Sequence, residues 1–122
     1  MIKGLAIAGI WSEDINNVLL PFYRDVVGLA ANMESPEFAL MGDKPFGPAL
    51  VLGTHSDVKG KNADPARHMV GFEVDDVKSE TARLKSKGVE FIEEPNEQGG
   101  IWVSTFLDPE GNYIQLLQFP GQ

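Results

Sequence analysis

Phe106-Leu107-Asp108-Pro109-Glu110-Gly111-Asn112-Tyr113-Ile114-Gln115-Leu116-Leu117 reads as strand, tight turn, strand. The Asp108 side chain can bond its own backbone two residues on. Pro109 presets its φ, and Gly111 adopts a positive φ at no steric cost. Upstream, Trp102 to Leu107 is β-branched and aromatic. Downstream, Tyr113 to Leu117 alternates with period two, so Ile114 and Leu116 face one way and Tyr113, Gln115 and Leu117 the other. A bare D-P-x-G string usually means a hairpin and nothing more; the whole twelve-residue string is more specific.

Composition bounds what the hairpin belongs to. The chain has 122 residues, enough for one domain with a real core. Its hydrophobic content of 43% and mixed charge indicate a folded globular protein. The formal charge is −8 and the pI about 4.6. No basic stripe is present, which argues against nucleic acid, and the acidity disfavours an anionic membrane surface. The absence of cysteine excludes disulfides, thiolate metal sites and a cysteine nucleophile. The apolar start, Ile2 to Trp11, is short, holds two glycines and lacks a leader-cleavage pattern. No apolar run approaches a membrane span, so the cytoplasm is the default compartment.

Along the chain, Leu5 to Ile10 reads as a buried strand. Ser12-Glu13-Asp14 offers helix caps, and Ile15, Val18, Leu19, Phe22 and Val26 fall at helical spacing up to a stop at Gly28. Pro21 conflicts with a regular helix there, because it lacks an N–H and its ring clashes with the preceding turn. Either the regular helix starts near Pro21 or it kinks, and an irregular first turn over 14–20 is the favoured reading. Leu29 to Met33 and Glu37 to Met41 read as strands joined at Ser35-Pro36, Asp43 to Pro48 as a loop, and Ala49 to Leu52 as a strand. Residues 54–65 are polar and aperiodic, a connector. His68 to Val74 is the next strand. Asp75-Asp76 caps a helix with Val77, Thr81 and Leu84 inside and a solvated charged face, ending at Gly88. Val89 to Ile92 is a strand and Pro95 to Gly100 a loop before the final hairpin.

The chain is therefore β-α-β-β-β written twice, a repeat of element order rather than of residues. The expected fold is α+β. Two modules, about 1–54 and 67–122, are joined by a connector over 55–66 in one domain spanning 1–122. One helix and four strands cannot bury both faces of a sheet. Two halves side by side can form one curved mixed sheet, with helices on the convex face and the concave face left for a ligand.

Three stretches carry a family resemblance. They are Phe22-Tyr23-Arg24-Asp25-Val26-Val27-Gly28-Leu29, Gly71-Phe72-Glu73-Val74-Asp75-Asp76-Val77 and Phe106-Leu107-Asp108-Pro109-Glu110-Gly111-Asn112. In this order and spacing the chain resembles the vicinal oxygen chelate superfamily, which includes glyoxalases, extradiol dioxygenases and bleomycin-resistance binding proteins. The resemblance implies a metal site on the concave face, with ligands at four positions that fall here on Ile7, Val51, Met69 and Gln115. Ile and Val have no lone pairs to give, and a Met thioether is too soft for Mg, Mn or Zn. Only Gln115 could ligate, so no metal and no other cofactor is expected. A strand bulge could bring His68 onto that face in place of Met69, but a place on the other face or at the strand's edge suits it better; His55 reads as a solvated loop residue.

Strand alternation puts Ile7, Val51, Met69, Gly71, Glu73, Val103, Thr105, Tyr113, Gln115 and Leu117 on the concave face. The candidate ligand-binding set among them is Ile7, Val51, Met69, Glu73, Val103, Thr105, Tyr113 and Gln115. Met33, Phe38, Met41 and Phe46 are candidates to close one end. Trp102 and Phe106 should pack under a helix; a register slip of one residue would make them pocket aromatics. The resemblance favours a small-molecule-binding protein without the family's metal site, acting as a homodimer. The alternative is a glyoxalase-like lyase or a dioxygenase acting on a small oxygenated substrate. A metal-free enzyme would need its own acid or base, and Glu73, tuned by burial, is the candidate catalytic residue.

Overall fold

The computed structural model of the protein describes residues 1–42 and 48–121. The chain divides into two compact units, Met1–Gly60 and Lys61–Gln122. In the first, the strands are β1 (Ile7–Ser12), β2 (Ala31–Ser35), β3 (Phe38–Met41) and β4 (Ala49–Thr54). In the second they are β5 (Val70–Glu73), β6 (Phe91–Gln98), β7 (Ile101–Leu107) and β8 (Tyr113–Gln118). The sheets have the orders β1-β4-β3-β2 and β5-β8-β7-β6. In each, the first strand runs parallel to the last and the other pairings are antiparallel. The fold is α+β, built from two βαβββ modules, as the repeat of punctuation indicated.

The first helical segment, α1, consists of two π-wound turns, Ile15–Leu19 and Phe22–Val27, joined through Leu20 and Pro21. The Leu20 N–H donates to the Ile15 carbonyl and the Gly28 N–H to that of Tyr23, five residues back in each case. Pro21 explains the widening, since it has no N–H and its ring crowds the carbonyl four residues earlier in a tight α-turn. The winding also shifts the buried stripe to Ile15, Leu19, Leu20 and Tyr23, whereas Val18 is exposed and Phe22 and Val26 are only half-buried. Ile15, Leu19 and Tyr23 recur every four residues, as a winding wider than 3.6 per turn requires. Gly28 closes the segment in the left-handed region at φ 96°.

In the second unit, α2 (Val77–Ser86) starts at Asp76, whose carboxylate accepts from the Lys78 N–H at 3.0 Å. The Gln118 side-chain carbonyl accepts from the Val77 N–H at 2.9 Å, tying the helix start to β8. Val77, Thr81 and Leu84 are buried, as their spacing predicts. They cover the sheet face that carries Trp102, Ser104 and Phe106. Lys78 Nζ lies 4.3 Å over the Trp102 ring and Phe106 is fully buried, so both aromatics pack beneath the helix.

Across this layer the Thr81 and Ser104 hydroxyls share a buried 2.8 Å hydrogen bond. Thr81→Val alone should destabilise the protein by about 1–2 kcal/mol, because it strands Ser104 in the core. Adding Ser104→Ala should recover part of that loss, since two apolar groups leave nothing unsatisfied. Chemical denaturation of the two single variants and the double variant reads this directly, and strictly additive losses would contradict it.

Strand β6 runs to Gln98, where a loop from Pro95 was expected. Pro95 is tolerated because β6 is an edge strand, and the pairing with β7 is irregular between Glu93 and Asn96. The reversal falls on Gly99-Gly100, both at positive φ. Strand β5 begins at Val70, so His68 and Met69 precede it, and both are exposed. The expected loop at Asp43 to Pro48 lies, apart from Pro48, outside the described residues.

Candidate functional site

Each unit has one sheet face without a helix. In the first unit, pairing of Gly9 with Val51 and of Trp11 with Gly53 places Ile7, Gly9, Trp11, Val51 and Gly53 together on that face. Leu40 pairs with Val51 and Phe38 with Gly53, so both join it. Met33 follows through its pairing with Leu40. Met41 does not: it pairs with Leu50, is buried, and belongs to the helix-side core. Phe46 is outside the described residues.

The dominant feature of this face is Trp11, which lies within β1 although the expected strand stopped at Ile10. It is 45% exposed. A Cβ built on Gly53 would lie 2.1 Å from Trp11 Cζ3, and one built on Gly9 would lie 2.8 Å from Nε1. The indole therefore lies across two glycines on neighbouring strands, with backbone as its floor. Glycine inside a strand costs stability, so a pair of them beneath one ring marks a close approach. His55 meets the ring edge-on at 6.2 Å between centroids. His55 is exposed and outside the strands, a solvated loop residue as expected, and its Nδ1 accepts from the Asp57 N–H at 3.0 Å. The signal in the sequence was the alternation Ile7, Gly9, Trp11 together with Gly53.

In the second unit the helix-free face is set by register. Gly71, Gln115, Thr105 and Glu93 form one row across β5, β8, β7 and β6; Glu73, Leu117, Val103 and Asn96 form the next. Tyr113 pairs with Leu107 one step along. The structure thus brings Glu73, Val103, Thr105, Tyr113 and Gln115 onto one face, as alternation indicated. Met69 lies outside the strand. Glu73 is exposed and so lacks the burial on which an acid–base role rested. Glu93, half-buried, is an addition: the Thr105 hydroxyl donates to its Oε1 at 2.9 Å and Gln98 Nε2 to its Oε2 at 3.1 Å. It escaped notice because β6 was expected to end at Ile92.

On the helix side, a hollow of about 390 Å³ is lined by Asp75, Asp76, Lys78, Trp102 and Gln118. Lys78 lies over the Trp102 ring there, and Gln118 and Asp76 serve the helix start.

None of the four positions at which the family resemblance implies metal ligands carries a His, Asp or Glu. Ile7 and Val51 are hydrocarbon on the first unit's face, Met69 offers a thioether, and Gln115 an amide. Among the described residues, no three His, Asp or Glu side chains are grouped so as to hold a metal ion. A hard divalent cation needs about six oxygen or nitrogen donors and zinc about four. Of the four positions only Gln115 offers an oxygen or nitrogen donor, so these side chains do not fit such an ion.

A model of the Glyoxalase/Bleomycin resistance protein/Dioxygenase superfamily matches residues 16–116. The uncharacterized protein YetH of Bacillus subtilis (strain 168) is 28% identical over 120 residues, covering 95% of this chain and 98% of YetH. The uncharacterized protein YurT of the same organism is 45% identical over 47 residues, and the match spans only 37% of its length and 38% of this chain. Among solved structures, TnmS3, an antibiotic binding protein from Streptomyces sp. CB03234, superimposes with a TM-score of 0.76 at 24% identity, covering 96% of each chain. A putative glyoxalase family protein from Bacillus anthracis gives 0.77 at 14% identity, covering 98% of this chain and 97% of that one. These likenesses establish the shared fold. Among the described residues no helix is long and apolar enough to cross a membrane.

Proposed function

The chain belongs to the Glyoxalase/Bleomycin resistance protein/Dioxygenase superfamily, and from that membership we propose that it is a metal-independent binding protein for a small planar molecule. One observation carries the reading: Trp11 is seated on Gly9 and Gly53 with much of its surface left to solvent. A large aromatic held flat on backbone offers a stacking surface at little entropic cost, because its own position is already fixed. The neighbouring apolar side chains on that face, Ile7, Phe38 and Met33, suit a largely hydrocarbon ligand. The antibiotic-binding role named for TnmS3 is consistent with such a ligand. A metal-dependent lyase or dioxygenase would need donors that Ile7, Val51 and Met69 do not have. A metal-free enzyme using Glu73 would need that carboxylate buried.

The test is a thermal-shift panel of planar aromatic antibiotics against chelator-treated protein, repeated on Trp11→Ala. Ligand-dependent stabilisation in the wild type, at least about tenfold weaker in Trp11→Ala, supports the reading. Binding that appears only after a divalent metal is added would replace it with the metal-dependent enzyme. A homodimer is the expected state, because the sheets end in β1, β2, β5 and β6, edges that a second copy can cover. Sedimentation should show a dimer at micromolar concentration, and a monomer there would contradict this.

A further inference from the structure

We infer that Glu93 anchors a positively charged nitrogen group, an amidinium or ammonium, of a small molecule at the helix-free face of the second unit. The inference rests on the small-molecule-binding reading and adds a charge preference to it. Two neighbouring glutamates on β6 are treated in opposite ways. Glu94, on the helix side, pairs with Lys85 of α2. Glu93 faces the helix-free side, and its carboxylate receives only neutral donors, the Thr105 hydroxyl at 2.9 Å and the Gln98 amide at 3.1 Å. Among the described residues no Lys, Arg or His pairs with it.

The carboxylate is held in place from both ends. Thr105 is buried, and the Gln98 Nε2 is also bound to Asn96 Oδ1 at 2.8 Å. An oriented, half-buried carboxylate without a cation retains acceptor capacity on its open side. Further along the row, the Gln115 side chain makes no hydrogen bond among the described residues. Beyond it Gly71 carries no side chain at all. From β6 towards β5 the row therefore presents an oriented carboxylate and, past the buried Thr105, a free amide, while the Leu117 side chain fills the space over Gly71. Neighbouring positions across a sheet lie about 5 Å apart. That sequence of acceptors matches a flat cation with N–H donors on more than one side. An anion would instead meet Glu93 and a chain of net charge −8.

The experiment uses three probes with one ring and different charge: benzamidinium, benzamide and benzoate. Each is titrated into the full chain and followed by the Gln115 side-chain amide and Thr105 backbone amide signals in NMR. Benzamidinium should shift both signals and bind at least about tenfold more tightly than benzamide, with benzoate weakest. Glu93→Gln should bring benzamidinium and benzamide within about twofold of each other, whereas Glu94→Gln should leave the preference intact. Should Glu93→Gln melt early, the wild-type comparison of benzamidinium with benzamide decides alone. Equal wild-type affinities, or a preference that survives in a folded Glu93→Gln, would overturn the charged anchor and leave the binding reading standing. If none of these probes binds here and no planar compound binds the chelator-treated protein, both are overturned.

Discussion

Replacing Asp108 with alanine is expected to lower the stability of the second unit by about 3 kcal/mol. Asp108 is only 4% exposed. Its Oδ1 accepts from the N–H groups of Glu110 at 2.8 Å and Asn112 at 3.0 Å, and its Oδ2 from Asn112 Nδ2 at 2.8 Å. A carboxylate accepting backbone N–H groups makes bonds stronger than neutral ones, and truncation strands the donors. The loss spreads beyond the turn. The Asn62 N–H donates to the Glu110 carbonyl at 2.9 Å, and Asn62 Nδ2 donates to Asn112 Oδ1 at 2.8 Å. The connector is thus strapped to the same turn. Asp108→Asn keeps an acceptor at the Oδ1 position and should lose only about 1 kcal/mol. Urea denaturation separates the two variants; an Asp108→Ala loss under 1 kcal/mol would show that the turn holds without its carboxylate.

The second large effect is a change of sign at Gly53. In the wild type, Gly53→Ala puts a methyl group 2.1 Å from Trp11 Cζ3, so the indole must leave its seat. Overpacking of this kind costs about 1–3 kcal/mol, and ligand affinity should fall at least about tenfold as the platform is lost. With Trp11→Ala already present, the methyl group meets no ring. The same Gly53→Ala change should then stabilise by about 0.5–1 kcal/mol, because alanine loses less backbone entropy than glycine on folding. Melting curves of the wild type, both single variants and the double variant give the cycle. Tryptophan emission in a Trp102→Phe background, which leaves Trp11 as the single reporter, follows the ring itself. A Gly53→Ala effect of the same sign in both backgrounds would mean that Trp11 does not rest on Gly53.

The parts of this fold that were legible in the sequence are those encoded locally. Asp108 to Gly111, Asp76 and the stop at Gly28 act through their own backbone, so turn, cap and helix end could be read without a partner. The parts that were not legible depend on tertiary context. Pro95 breaks a central strand, but in β6 it sits on an edge and the strand continues, which is how Glu93 came to be overlooked. Pro21 widens α1 into π turns, a winding that a 3.6-residue pattern does not reveal, and Tyr23 takes the place assigned to Phe22. Trp11 becomes a platform only because parallel pairing of β1 with β4 sets Gly53 beside it, and such pairing across the chain leaves no local trace. Glu73 was assigned to the right face, but a face does not determine burial.

The central proposal is that the protein binds its ligand without a metal, because of the four positions that the family resemblance assigns to ligands, Ile7, Val51 and Met69 lack an oxygen or nitrogen donor and only Gln115 has one. Elemental analysis of protein purified without chelator, alongside its Gln115→Ala variant, tests this most directly. The expected result is far less than one zinc, nickel, manganese or iron per chain, with no difference between the two proteins. Near-stoichiometric metal in the wild type that disappears in Gln115→Ala would contradict it.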